Sequence, residues 1–105
     1  MDNLNWIQNW YLKQCDGYWE HDYGIKISNI DNPGWDLTID IFETLLEGTT
    51  LKYELFEKSE NDWYAFEVKN NQFIGIGDPL KLNLLIQIFR KLYEEAENKK
   101  KNNGI

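Results

Sequence analysis

The chain has 105 residues, among them five tryptophans, six tyrosines and five phenylalanines, and a formal net charge of −7. That length fits one domain able to bury roughly 65% of its unfolded surface, so a core can form without cross-links. A single cysteine, Cys15, rules out an internal disulfide; with no basic start leading into an apolar run, and no apolar stretch near the ~20 residues of a membrane helix, a cytoplasmic protein without membrane association is expected.

Asn5 to Gln14 reads as a first helix. Trp6, Ile7, Trp10 and Tyr11 recur at helical spacing, Leu4 extends the stripe, and Asp16-Gly17 is a stop, because glycine accepts the left-handed backbone that ends many helices. Ile25 and Ile27 then alternate with Lys26 and Ser28 as in a half-buried strand. Asn32-Pro33-Gly34-Trp35 reads as a type II turn, with Pro33 second and Gly34 supplying a positive φ at the third position. Trp35, Leu37, Ile39 and Ile41 alternate with Asp36, Thr38 and Asp40, completing a hairpin.

The pattern continues with Leu51, Tyr53 and Leu55 on one face of a third strand. A fourth puts Tyr64, Phe66 and Val68 on one face and Trp63 and Ala65 on the other; a short fifth has Ile74 and Ile76 in phase. Short turns at residues 60–62 and 70–71 make an antiparallel meander the simplest arrangement. Asp78 and Pro79 predict the cap and first position of a last helix, whose apolar face is Leu82, Leu85, Ile86, Ile88, Phe89, Leu92, Tyr93 and Ala96. Lys99, Lys100 and Lys101 fall where the helix dipole favours positive charge. The expected fold class is therefore α+β: an N-terminal helix, a five-stranded antiparallel meander, and a long C-terminal amphipathic helix packed on one sheet face. It forms a single domain over residues 1–98, followed by a frayed basic tail, 99–105. The other sheet face carries Asp36, Thr38 and Asp40, with Lys26 and Ser28 nearby.

Residues 16–47 hold eight acids against Lys26 alone and so account for the whole net charge. An acidic surface repels nucleic acid and attracts basic proteins or cations. Cys15 and His21 are one thiol and one imidazole with Asp16, Glu20 and Asp22 beside them, the minimum for a nucleophile, base and orienting acid. A cysteine at a helix C-terminus, however, lacks the positive surroundings that activate a thiol. Zinc needs more histidine or cysteine than the chain has, IDNPGWD lacks the spacing of a calcium loop, and Gly75-Ile76-Gly77 lacks the rest of a dinucleotide fingerprint. No catalytic residue, metal or cofactor is expected, and the protein reads as a non-enzyme. Acids interleaved with aromatics suit protein–protein contact, with Asp16, Glu20, Asp22, Asp36 and Asp40 as charge partners and Trp19 and Tyr23 as anchors.

The segment WYLKQCDGYWEHDYGIKISNIDNPGW resembles the N-terminal half of the immunity protein 53 family of bacterial polymorphic toxin systems. The likeness is carried by Trp10-Tyr11, Cys15-Asp16-Gly17, Trp19-Glu20-His21, Tyr23-Gly24-Ile25 and Asp31-Asn32-Pro33-Gly34-Trp35, and continues through the WDLTIDI strand. From about residue 45 onward only the general layout matches. The resemblance implies a small α+β protein encoded beside a toxin gene, which binds that cognate toxin inside the producing cell and blocks it, with no catalytic residues and no cofactor. It does not place the interface. The acidity of the chain makes a basic toxin domain the expected partner. The competing readings are a cytosolic adaptor or homo-oligomeric scaffold, and a small enzyme using Cys15 and His21.

Overall fold

The computed structural model describes residues 1–103. Helix α1 spans Asn3–Gln14 and starts two residues earlier than the apolar spacing indicates, because the Asp2 carboxylate accepts the Asn5 N–H at 2.8 Å and caps it. A one-turn helix, α2 (Trp19–Asp22), follows. The strands are β1 (Ile25–Ile30), β2 (Gly34–Asp40), β3 (Leu51–Ser59), β4 (Asp62–Lys69) and β5 (Gln72–Gly77), and helix α3 (Leu82–Asn103) closes the chain. The fold is α+β, with five antiparallel strands and the long C-terminal helix packed on one sheet face.

The strand order is β1-β2-β5-β4-β3, not the sequential meander. Hairpin β1-β2 stands first, and β3-β4-β5 returns to place β5 against β2, so residues 41–50 carry the chain to the far edge. Central strand β5 supplies the reason. Its Phe73 and Gly75 lie opposite Ile39 and Leu37 on one side, and opposite Val68 and Phe66 on the other. That joins the two halves of the sheet across a single apolar layer.

This layer meets the helices. Leu37, Ile39, Ile41, Phe73, Leu85 and Phe89 are fully buried, with Ile7, Trp10, Trp19, Leu46, Val68 and Ile86 around them. Phe89 stands edge-on to Trp10 at 4.9 Å and to Phe73 at 5.4 Å, so α1, α3 and the sheet share one aromatic joint. Gly75 makes room for it, since a Cβ there would come within 3.1 Å of Leu85 Cδ2. Tyr11 and Leu4, expected on the buried stripe of α1, stay exposed because they overrun the edge of the sheet.

Four further local expectations change. Gly34 opens β2 without a positive φ, so the turn is not type II; glycine is needed because a Cβ would overlap the Gly77 carbonyl oxygen. Strand β3 has register shifts between Leu51 and Glu54 and between Glu57 and Ser59. Leu51 therefore pairs with Val68 and Leu55 with Ala65, on opposite faces rather than one. Helix α3 begins at Leu82, three residues beyond Pro79, because the Asp78 carboxylate is held inside the protein instead of capping. Lys99, Lys100 and Lys101, expected in a frayed tail, continue that helix; Gly104 and Ile105 lie outside the described residues.

Candidate functional site

Residues 15–24 form the joint between α1 and the sheet, built by reciprocal side-chain bonds. The Asp16 carboxylate accepts the N–H of Trp19 at 2.9 Å and of Tyr18 at 3.0 Å. Glu20 reaches back to the N–H groups of Asp16 and Gly17. Backbone donors therefore hold both carboxyls below their ordinary range: Asp16 through Trp19 and Tyr18, Glu20 through its own N–H and then those of Asp16 and Gly17. Gly17, with φ +93°, turns the chain between them. Both acids are thus already occupied in fixing the turn.

Trp19, expected as a surface anchor, is 2% exposed and belongs to the core. Its ring meets Trp10 edge-on, and its Nε1–H donates to the Phe42 carbonyl at 2.8 Å. The WEHD turn is short enough to point one residue inward, and tryptophan is the residue that fills the gap. Tyr23 is half-buried and stacks on Phe42 at 5.0 Å. Burial, followed by the negative charge of Glu43, Asp22, Glu47 and Asp40, pushes its phenol above the usual range. Four carboxylates therefore gather around Tyr23 at one end of the sheet, and none of them is ion-paired among the described residues.

Asp36 and Asp40 lie on the sheet face away from the helices. Asp36 accepts the Thr38 hydroxyl at 2.7 Å; Asp40 accepts Gly24 N–H at 3.0 Å and Gln72 Nε2–H at 2.9 Å. Beside them the sheet register places a group of side chains that lie far apart in the sequence. Ile74 and Ile76 of β5 pair with Thr38 and Asp36, and Ala65 and Glu67 of β4 pair with Ile76 and Ile74. Glu57 and Leu55 of β3 pair with Trp63 and Ala65. The open face is thus an apolar band of Leu55, Trp63, Ala65, Ile74 and Ile76, bordered by Asp36, Asp40, Glu57 and Glu67, with Lys26 and Lys69 as its cations. Ala65 is fully buried although no helix covers it, and it stands apart from the helix-side core; its neighbours on the band enclose it. A signal existed in the sequence: Trp63 and Ala65 alternate against Tyr64, Phe66 and Val68, so burying those three under the helices turns Trp63 outward.

The Cys15 thiol donates to the Tyr11 carbonyl at 3.3 Å. His21 is exposed on α2. Among the described residues no cluster of three or more His, Cys, Asp or Glu side chains is placed to hold a metal, and no helix is long and apolar enough to cross a membrane.

What fold and surface together define is a small α+β domain with one sheet face sealed by helices and the other left as a broad apolar band with an acidic border. The model of the Immunity protein 53 family matches residues 4–94, from α1 to just past the middle of α3, and the chain belongs to that family. No curated protein and no solved structure matches it.

Proposed function

We propose that this protein is the immunity partner of a bacterial polymorphic toxin, binding its cognate toxin one-to-one in the producing cell and blocking it through the open sheet face. The observation that carries the reading, beyond family membership, is the uncovered band of Leu55, Trp63, Ala65, Ile74 and Ile76 with carboxylates along its border. An apolar centre supplies the water-excluding contact of an interface. The acidic border selects a basic partner and speeds encounter. A stable interface of this kind buries on the order of 1,600 Å² in total, which one face of a five-stranded sheet can supply. Trp63 takes the anchoring role for which Trp19 is unavailable; Asp36 and Asp40 border the same surface, while Tyr23 packs against the helix-side core at the end of the sheet, next in the chain to Asp22, and Asp16 and Glu20 fix the turn that leads there.

The test is titration with the toxin domain encoded beside this gene. Trp63→Ala and Asp36→Lys should each weaken the complex at least tenfold, and Asp36→Lys should also flatten its salt dependence. Asp36→Lys is a cleaner probe than a change at Asp40, which anchors Gly24 and Gln72. Wild-type affinity and salt dependence in both variants would place the interface elsewhere.

A further inference from the structure

The two edges of the sheet are not equivalent. Edge strand β3 is interrupted by two register shifts and carries Lys52, Glu54, Glu57 and Lys58, features that discourage pairing with another strand. Edge strand β1 has an unbroken register from Ile25 to Ile30, and its one charge, Lys26, lies on the open face. The Asp40 N–H donates to the Gly24 carbonyl at 3.0 Å, so that pair is hydrogen-bonded. Because bonded and non-bonded pairs alternate along an antiparallel ladder, Lys26 and Ser28 carry the next bonds to β2. The N–H and C=O groups of Ile25, Ile27 and Asn29 therefore face outward, and among the described residues nothing meets them.

Directly over this edge lies an apolar groove of about 330 Å³ between α1 and β1, lined chiefly by Leu4, Ile7, Tyr11, Ile25, Ile27 and Ile86. Leu4 is 62% exposed, Ile27 49% and Tyr11 39%. A strand added beside β1 would run about 4.8 Å from it and project alternate side chains under α1. The sheet and its helix layer are thus one strand out of step.

We infer that β1 is a strand-addition site for an extended segment of the toxin, apolar at alternate positions and carrying lysine or arginine at its ends; this rests on the toxin-binding reading above. The end charges follow from what flanks the strand. Asp22, Asp40, Glu43 and Glu47 gather around Tyr23 at its start, Asp31 follows its end, and none of the five is ion-paired among the described residues. The same charges argue against a second copy of this chain, which would bring another −7 to the contact. Main-chain bonds to the edge give affinity, and the groove selects side chains.

The experiment is amide hydrogen exchange on the protein, free and bound to the adjacent-gene toxin domain inactivated by mutation, with affinities for two variants. Ile27→Pro removes an N–H that faces solvent, not the ladder, and Leu4→Glu puts a charge in the groove from an exposed helix position. In the complex the amides of Ile25, Ile27 and Asn29 should exchange at least tenfold more slowly, and both variants should bind at least tenfold more weakly. A complex whose edge amides exchange as in the free protein, or in which both variants bind like wild type, overturns the inference and leaves the toxin reading standing. Failure of any complex to form overturns both. Edge protection in the free protein that grows with concentration alongside a dimeric mass makes a second copy the occupant, and overturns the assignment to toxin.

Discussion

Replacing Asp78 by asparagine tests whether one buried carboxylate joins the end of the sheet to the start of α3. Asp78 is 1% exposed. One oxygen accepts the Leu80 N–H at 2.9 Å; the other accepts the Trp63 N–H at 2.8 Å and Lys81 Nζ at 2.7 Å, while Lys81 also pairs with Asp62 at 2.8 Å. Asparagine preserves the shape but has a single acceptor oxygen. Either Leu80 is left facing an amide NH₂, or Trp63 and Lys81 are. One buried donor without a partner costs about 1–3 kcal/mol, and removing the whole side chain as alanine should approach the ~3–5 kcal/mol of a broken buried pair. At about 4–8 °C per kcal/mol for a domain of this size, Asp78→Asn should melt roughly 5–20 °C lower.

The pH dependence provides a second reading of the same bond set. Burial alone would raise the Asp78 carboxyl, but the bonds from Lys81, Leu80 and Trp63 outweigh it and hold it below its ordinary value. A depressed folded pKa gives stability that is present above the unfolded value of about 3.9 and is lost as pH falls through the folded value. The gap between wild type and Asp78→Asn should therefore be full at neutral pH and narrow below about pH 4. Urea unfolding followed by tryptophan fluorescence, at pH 7 and pH 3, measures both. An Asp78→Asn protein within about 0.5 kcal/mol of wild type at pH 7 would refute the argument, because that is the range of an unremarkable surface change.

Phe89→Ala should cost about 3–5 kcal/mol by chemical denaturation, since the ring is fully buried where Trp10 and Phe73 meet it. Gly34→Ala should destabilise more than the ~1–3 kcal/mol of ordinary overpacking, because the obstacle is the Gly77 backbone rather than a movable side chain; the thermal midpoint reports it. Trp19→Phe should cost about 1–3 kcal/mol by leaving the Phe42 carbonyl without its donor, while toxin affinity measured on the folded fraction stays unchanged. Cys15→Ala and His21→Ala should both protect toxin-expressing cells as well as wild type does; loss of protection in either, with the fold intact, would favour chemistry at that pair.

Local pattern determined most of the elements. Alternation of Leu37, Ile39 and Ile41 with Asp36, Thr38 and Asp40 is enough to say which face of β2 is buried, because a strand's side chains reverse at every residue. The eightfold repetition of apolar residues along α3 likewise specifies the side that packs. Residues 15–24 were legible as a joint, and their acids as polar, but not which ring among them turns inward. Trp19 and Tyr23 have similar neighbours in sequence, and only the approach of Trp10 and the Phe42 carbonyl separates buried from half-exposed.

Strand order, and with it the open surface, belongs to the tertiary structure. Nothing in the spacing of β2 and β3 announces that β2 pairs with β5; that choice is made by long-range packing of Phe73 between Ile39 and Val68 beneath Phe89. Once β5 is central, Ile74 and Ile76 must face away from the helices beside Asp36 and Thr38, although as isolated apolar residues they would suit either side. The sequence alone decides what each segment is, because propensity and periodicity act over a few residues. Which segments become neighbours, and so which apolar side chains are left uncovered, depends on contacts between residues far apart in the chain.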